Sequence, residues 1–476
     1  MTDLVRPPAT SRRHSRWWLA AATAIGVITI GAWLWAEWER SVGKAHFQRV
    51  ISEIKAAGRP GTIADYLALL PKVDAQLQQD WMTLQQRRAY GELDEHREQF
   101  DYPKIDEQGW SKWVGGERPD PPTGASAELA KSQVVMSELL ALVRRGPLIL
   151  GVNGWAAQDF APGRDNGFAS ACLHAGNLLI LRDMGEWLRH HALLADSADG
   201  DLADLDRLIA AIAHPGCAID AMIALPLNGM RDRCYVELAV QKRLPVERKA
   251  RWLSETPHAY ELMADGLRGD RIVFIGSVAG SLDRSLFRFW EESRKWPGQG
   301  LSLRQWVFGM EEETRKAELE DQVELLVREG TPLPVSIRDA VREGNPIDIS
   351  WLNHAPVMAM KAEASHRIAR LGIRIIGMAR AGGLPSTQAD LGQRLGDPRI
   401  LDHDGRHLGL TYQLLAKDRF RLSADPESAP PDLADPSSEP WKTAVNDLRN
   451  AIHAPASKQS FVYYGNLTFE ARVHSE

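Results

Sequence analysis

The sequence predicts a mainly α protein with one N-terminal transmembrane helix, an irregular array of antiparallel helical hairpins and a small C-terminal β element. Three observations predict this. Residues 17–36 are 20 consecutive positions without a charge. From residue 126 to residue 381, apolar side chains recur at steps of three and four, the period of an amphipathic helix. Beyond Leu408 the period falls to two, as in strands with one buried face.

Composition sets the outer bounds. The chain has 476 residues, 44% of them hydrophobic and 25% charged, which is ordinary for a globular protein and excludes a disordered or collagen-like chain. Lys and Arg number 57 against 63 Asp and Glu, a net charge of −6. Nucleic-acid binders carry a basic face, so no nucleic-acid partner is expected. Three cysteines are too few for a disulfide scaffold or a four-cysteine zinc site.

The uncharged run fits a bilayer. At about 1.5 Å per residue its helix reaches about 30 Å, the thickness of the hydrocarbon core. Trp17 and Trp18 stand at one end and Trp33, Trp35 and Trp38 at the other, where indoles favour the headgroup level. The span is therefore placed at 17–38, with the lipid bilayer as its partner. The tail, residues 1–16, holds Arg6, Arg12, Arg13 and Arg16 against Asp3, while Arg40, Lys44 and Arg49 follow the span. Four bases against three favour a cytoplasmic N-terminus, with Arg12, Arg13 and Arg16 as topology determinants of an uncleaved signal anchor. Ser15 and Arg16 stand where a twin-arginine export signal needs apolar residues.

After the span, residues 39–124 read as juxtamembrane helices and irregular chain. A helix over 37–57 ends at Gly58-Arg59-Pro60-Gly61, a polar helix covers 73–90, and 91–124, with Pro103, Pro119, Pro121 and Pro122, reads as irregular. The hairpin domain is placed at 125–345. In it Ile180, Met184, Trp187, His191 and Leu194 share a helix face, as do Leu202, Leu205, Ile209 and Ile212. Further helices are expected over 217–242, 246–254, 257–280 and 301–329. Residues 346–422 hold a long helix, 357–381, stopped by Gly382-Gly383, and two short strands around Lys417-Asp418. An acidic, proline-rich linker (423–440) precedes a C-terminal helix and β-hairpin (441–476), whose last strand alternates Leu467, Phe469, Ala471 and Val473 with polar residues.

This order of parts resembles a family of uncharacterised single-span bacterial envelope proteins. The likeness rests on the Trp-flanked anchor, Gly167-Phe168-Ala169, the acidic turn at 196–206, Gly269-Asp270-Arg271 and the closing module. That module runs from the 357–381 helix through Gly383-Leu384-Pro385, Asp397-Pro398, Asp404-Gly405 and Leu410-Thr411-Tyr412 to Phe420, and it is similar to the C-terminal part of type II secretion pseudopilins. The resemblance implies a bacterial inner-membrane protein with a single pass, its N-terminus cytoplasmic and its C-terminal domain periplasmic. The family carries no assigned activity.

The sequence offers no recognisable catalytic constellation: no phosphate-cradling Walker loop, H-E-x-x-H, G-x-S-x-G or paired C-x-x-C. No catalytic residue, cofactor or metal ligand is assigned. Ser41-Val42-Gly43-Lys44 has S-x-x-K spacing but no K-T-G partner, and Gly276-Ser277-Val278-Ala279-Gly280 reads as helix packing. Adjacent His190 and His191 point about 100° apart on a helix and cannot chelate as an i, i+4 pair. The acids Asp196, Asp199, Asp201, Asp204 and Asp206 lack the terminal glutamate of a calcium loop and read as helix caps. Asp402-His403-Asp404-Gly405-Arg406-His407 reads as a turn without a metal. Cys217 and Cys234, facing an oxidising compartment, are a candidate disulfide that leaves Cys172 over, and buried free thiols are the other reading. Trp110 and Trp113, in chain read as irregular, are the candidate partner contacts. The function expected is a membrane-anchored, non-enzymatic envelope protein whose helical domain binds a protein partner. The alternatives are an accessory of a secretion or pilus-like machine and, after it, an envelope hydrolase.

Overall fold

The first helix, α1 (Ser11–Ala56), is 46 residues long, about 70 Å by helical rise, and it changes character halfway. Trp17 and Trp18 are each 76% exposed and Ile28 is 69% exposed, whereas Ala36, Val50 and Ile54 are buried. This computed structural model describes residues 11–86, 106–150, 179–255, 258–282, 303–331, 355–397, 408–425, 461–464 and 467–473, with positions 333, 334, 336, 337, 339 and 401. Among the described residues α1 is the one helix long and apolar enough to cross a membrane.

Thirteen helices are described. After α1 come α2 (Ile63–Leu69), α3 (Ala75–Gln86), α4 (Glu107–Val114), α5 (Ala125–Arg145), α6 (Leu179–Leu194) and α7 (Asp199–Ala211). They are followed by α8 (Ala218–Val240), α9 (Val246–Ser254), α10 (Ala259–Leu282), α11 (Leu303–Glu329), α12 (Ala355–Gly382) and α13 (Gln388–Leu395). Local chemistry sets several ends. Thr62 and Thr387 accept the backbone N–H three residues on, of Asp65 and Asp390, as N-caps do. Gly396, with φ of 74°, closes α13 in the left-handed conformation that glycine adopts without penalty.

The C-terminal half of α1 lies along α11. Trp35 meets Phe308 edge-on with ring centroids 5.7 Å apart. His46 bridges two turns of α11, with Nδ1 2.8 Å from Glu311 and Nε2 3.0 Å from Glu318. A Cβ on Gly43 would stand 3.1 Å from the Glu311 backbone nitrogen, so the glycine of the S-x-x-K sequence is the point of close helix approach. α10 is the other main neighbour of α11, and α8 packs against α6, α10 and α12.

The sheet has four antiparallel strands, β1 (Leu410–Ala416), β2 (Arg419–Ala424), β3 (Phe461–Tyr464) and β4 (Thr468–Arg472), in the order β1-β2-β4-β3. One face of its centre stacks Phe420 on Phe469, 5.8 Å apart, and packs on α12. One hydrophobic cluster runs from Leu77 through α12 to Val473, so the sheet and the helices share a core.

The structure corrects two expectations. The stretch read as irregular over 91–124 contains α4, because Trp110 and Val114 sit one turn apart on a buried face and the prolines at 119, 121 and 122 fall beyond its end. The polar side of the last strand is also buried. As inner strands, β2 and β4 hold Arg421 against Glu470, with Nη2 2.9 Å from Oε2 and both side chains almost inaccessible. The hairpin turn at 465–466, most of the 423–440 linker and the 441–453 helix lie outside the described residues.

Candidate functional site

The densest polar chemistry gathers along α8, the helix with neighbours on most sides. Its start is unusual. Asp220 accepts the backbone N–H of Gly216 at 2.7 Å and of Cys217 at 3.2 Å, and Asp270 of α10 accepts that of Ala218 at 3.1 Å. Two carboxyls thus cap one helix. Burial pushes Asp220 up to about 7 and Asp270 up to about 8, the latter raised further by Asp220.

Pro226, inside α8, lacks the N–H that would close onto residue 222. Pro226, Gly229 and Arg233 follow at three and four residues, on a face that walls a cavity of about 850 Å³. A Cβ on Gly229 would meet nothing within 4 Å. α10, α12, the ends of α7 and α9 and Glu186 of α6 supply the other walls.

At the cavity's edge lies a buried chain of hydrogen bonds. His366 of α12 places Nδ1 2.6 Å from Asp232 of α8, and Trp252 of α9 donates Nε1–H to the other Asp232 oxygen at 2.9 Å. A carboxylate only accepts, so Nδ1 is the donor and Nε2 is left to accept from Arg370 Nη1 at 3.4 Å. Arg370 also donates to the carbonyls of Leu253 and Glu255 at the C-terminus of α9, where a cation complements the helix dipole. Burial pushes the Asp232 carboxyl up, but the hydrogen bonds from His366 and Trp252 and the Arg231 charge outweigh it and hold it below its usual range. Both imidazole nitrogens are engaged within the fold, an arrangement that locks α8, α9 and α12 together.

A second cluster surrounds Arg189 of α6, which is wholly buried. Its guanidinium meets Glu237 at 2.8 and 3.0 Å, Glu186 at 2.6 Å and Glu107 at 3.4 Å. Glu107, Glu186 and His190 bring ligand-type atoms within 4.8 Å of one another, a metal-like grouping. Arg189 and Arg233, the latter 2.7 Å from Glu107, already supply the positive charge that an ion would bring there. Desolvation works against ionised Glu107, yet His190, Arg189 and Arg233 hold its carboxyl far below the usual range. This set is an ion-pair network that pins α4 to α6 and α8.

The residues singled out from sequence fare unevenly. Trp17, Trp18, Trp33, Trp35 and Trp38 are exposed along α1, and Arg12, Arg13 and Arg16 fall in its first turns. Trp110 is fully buried, 4.6 Å from the His190 ring, and Trp113 packs partly against the core, so Trp110 offers no surface to a partner. Cys217 and Cys234 are free and buried. They sit at the start and near the end of α8, about 25 Å apart by helical rise, beyond the roughly 7 Å Cα separation a disulfide permits. The candidate disulfide is therefore corrected to two separate thiols. The acidic turn is taken up by ion pairs: Asp199 with Arg248 at 2.8 Å, Asp201 with His191 at 2.8 Å, and Asp204 with Arg207 at 2.7 Å. Cys172, Gly167-Phe168-Ala169 and the 402–407 turn lie outside the described residues.

Asp232, His366 and Arg231 went unnoticed in the sequence, because 134 residues separate the dyad and no local spacing marks it. The one local signal is His366, Arg370 and Arg374 at steps of four, a basic line along α12. Compared with protein-family models, curated proteins and solved structures, the chain matches none of them.

Proposed function

We propose that this chain is a single-pass, membrane-anchored protein of the bacterial envelope, with a cytoplasmic N-terminus and a periplasmic helical domain that binds a protein partner without catalysis. The observation that carries the anchor is the uncovered apolar surface of α1. Leu19, Ile25, Val27 and Ile30 are each more than half exposed, although the same helix is packed from Ala36 onward. Nothing among the described residues covers that surface, and hydrocarbon would. Support for binding over catalysis comes from His366, whose two nitrogens are held by Asp232 and Arg370 rather than poised toward a substrate.

Phosphatase and fluorescent-protein fusions at Glu476 test the topology. An active phosphatase fusion with a dark fluorescent one is expected, and the reverse pattern would discard the orientation. Pull-down from solubilised membranes tests the partner.

A second reading, an accessory of a secretion or pilus-like machine, draws on the C-terminal part. There α12 feeds a small antiparallel sheet and packs on its inner strands, as the likeness to pseudopilins implies. Recovery of secretion-machine components in the same pull-down would favour it.

A further inference from the structure

We propose that the cavity beside α8 binds a small anionic amphiphile, an apolar body carrying one carboxylate or phosphate head. The inference does not depend on the membrane-anchor reading, since it concerns a site built from α6–α10 and α12. Its volume of about 850 Å³ falls within the range of small-molecule sites. Ile212, Leu225, Met230, Leu262 and Met358 give it apolar walls.

The charges on the lining are unequally satisfied. Each of its acids is already engaged inside the fold. Asp232 holds His366 at 2.6 Å, Glu255 holds Arg231 at 2.9 Å, Glu186 holds Arg189 at 2.6 Å and Asp265 holds Arg328 at 2.6 Å. Glu363 accepts the N–H of Ala259 at the start of α10, and Glu261 is partnered as well, leaving its Oε2 as the one buried lining carboxylate oxygen without a hydrogen bond among the described residues. Of the lining cations Arg233 is matched, by Glu107 and Glu237, but Arg231, Arg251 and Lys361 keep donors to spare. The side chains of Arg251 and Lys361 make no ion pair or hydrogen bond among the described residues, and the buried Nε–H of Arg231 has no acceptor there.

A ligand with an anionic head satisfies all three groups, since guanidinium and ammonium groups hold carboxylate and phosphate by charge-assisted hydrogen bonds. A cationic ligand would meet these positive groups with only the single oxygen Glu261 Oε2 to receive it. A purely apolar ligand would leave the Arg231 donor buried and unmet. Gly229, with open space where a side chain would stand, keeps the apolar part of the cavity clear.

The test uses the full chain in phosphatidylcholine nanodiscs, titrated calorimetrically with octanoate and octyl phosphate against empty discs. Octanol, octylammonium and inorganic phosphate serve as controls. Saturable binding of octanoate or octyl phosphate is expected, at least about tenfold tighter than any control. The tighter of the two heads identifies the group. Gly229→Met, which fills the cavity from a position with no neighbour to clash, and the surface variant Arg251→Gln/Lys361→Gln should each weaken binding about tenfold with unfolding temperature retained. Any one of three results would overturn the proposal: no saturable binding beyond that of empty discs, octylammonium or octanol binding as well as octanoate, or undiminished affinity in both variants. Equal binding of inorganic phosphate would reduce the site to a simple anion contact and overturn it too.

Discussion

The ring of Phe469 occupies the space that a side chain at Gly372 would need: its Cδ1, Cε1 and Cε2 atoms each stand 2.8 Å from where a Cβ on Gly372 would lie. Gly372 is on α12 and Phe469 on β4, an inner strand, so this one contact sets how closely the sheet approaches the helix. The same helix carries His366 toward Asp232. The seat of the sheet and the wall of the cavity are thus two contacts of one element.

Gly372→Ala should destabilise the protein by about 1–3 kcal/mol, the usual cost of overfilling a packed site. Adding Phe469→Leu should return part of that loss. Urea unfolding followed by circular dichroism measures both, and a neutral Gly372→Ala would show that the sheet shifts freely.

Arg189→Met should cost roughly 3–5 kcal/mol, since it leaves Glu237 and its neighbours buried without their counter-charge. Glu237 illustrates the balance: burial pushes its carboxyl up, and the charges of Arg189 and Arg233 bring it below the usual range. The double variant Arg189→Met/Glu237→Gln should be more stable than Arg189→Met alone. A double variant no better than the single one would mean the pair is uncoupled.

Asp270 should make the protein lose stability as pH rises. Its folded value of about 8 lies above that of an unfolded aspartate, about 3.9, so between these the folded state binds a proton the unfolded state lacks. Stability therefore falls from about pH 4 to about pH 8 and levels off above. Asp220, at about 7, acts in the same sense. Asp270→Asn keeps an acceptor for the Ala218 N–H but does not titrate, so its unfolding temperature should gain on the parent's with rising pH. Parallel curves would place the proton elsewhere.

Cys217 and Cys234 should both react with maleimide after denaturation without reductant and resist it in the folded state. Burial pushes both thiols up, which keeps the reactive thiolate scarce. A mass two hydrogens light, with neither residue labelled after denaturation, would restore the disulfide.

Gly229→Ala should stabilise the protein by about 0.5–1 kcal/mol, because alanine lowers the backbone entropy lost in a helix and here meets no neighbour. The opposite sign from Gly372→Ala, measured in the same urea series, is the outcome that distinguishes a wall of the cavity from a seat of the core.

The sequence by itself determined the elements. α1 is announced by its uncharged run, and α8 to α12 by periods of three and four. β1, β2 and the closing hairpin are announced by alternation and an Asp or Gly turn. These are local signals, since a helix or strand needs only neighbours within a turn to reveal which face is apolar. The same locality explains why the sequence misplaces Trp110 and leaves open the choice between a disulfide and free thiols at Cys217 and Cys234. Proline-rich surroundings hid an eight-residue helix, and cysteine counting carried no information that both thiols ride on one rigid rod. Only the tertiary structure decided the rest. Arg189 with Glu237, Asp232 with His366 and the unmatched cations of the cavity lie 48 or more residues apart or depend on which partners other charges have already taken. Pairing of charges is settled by the packing of whole helices in a low-dielectric interior, where an unpaired ion is costly, and no spacing along the chain encodes that choice.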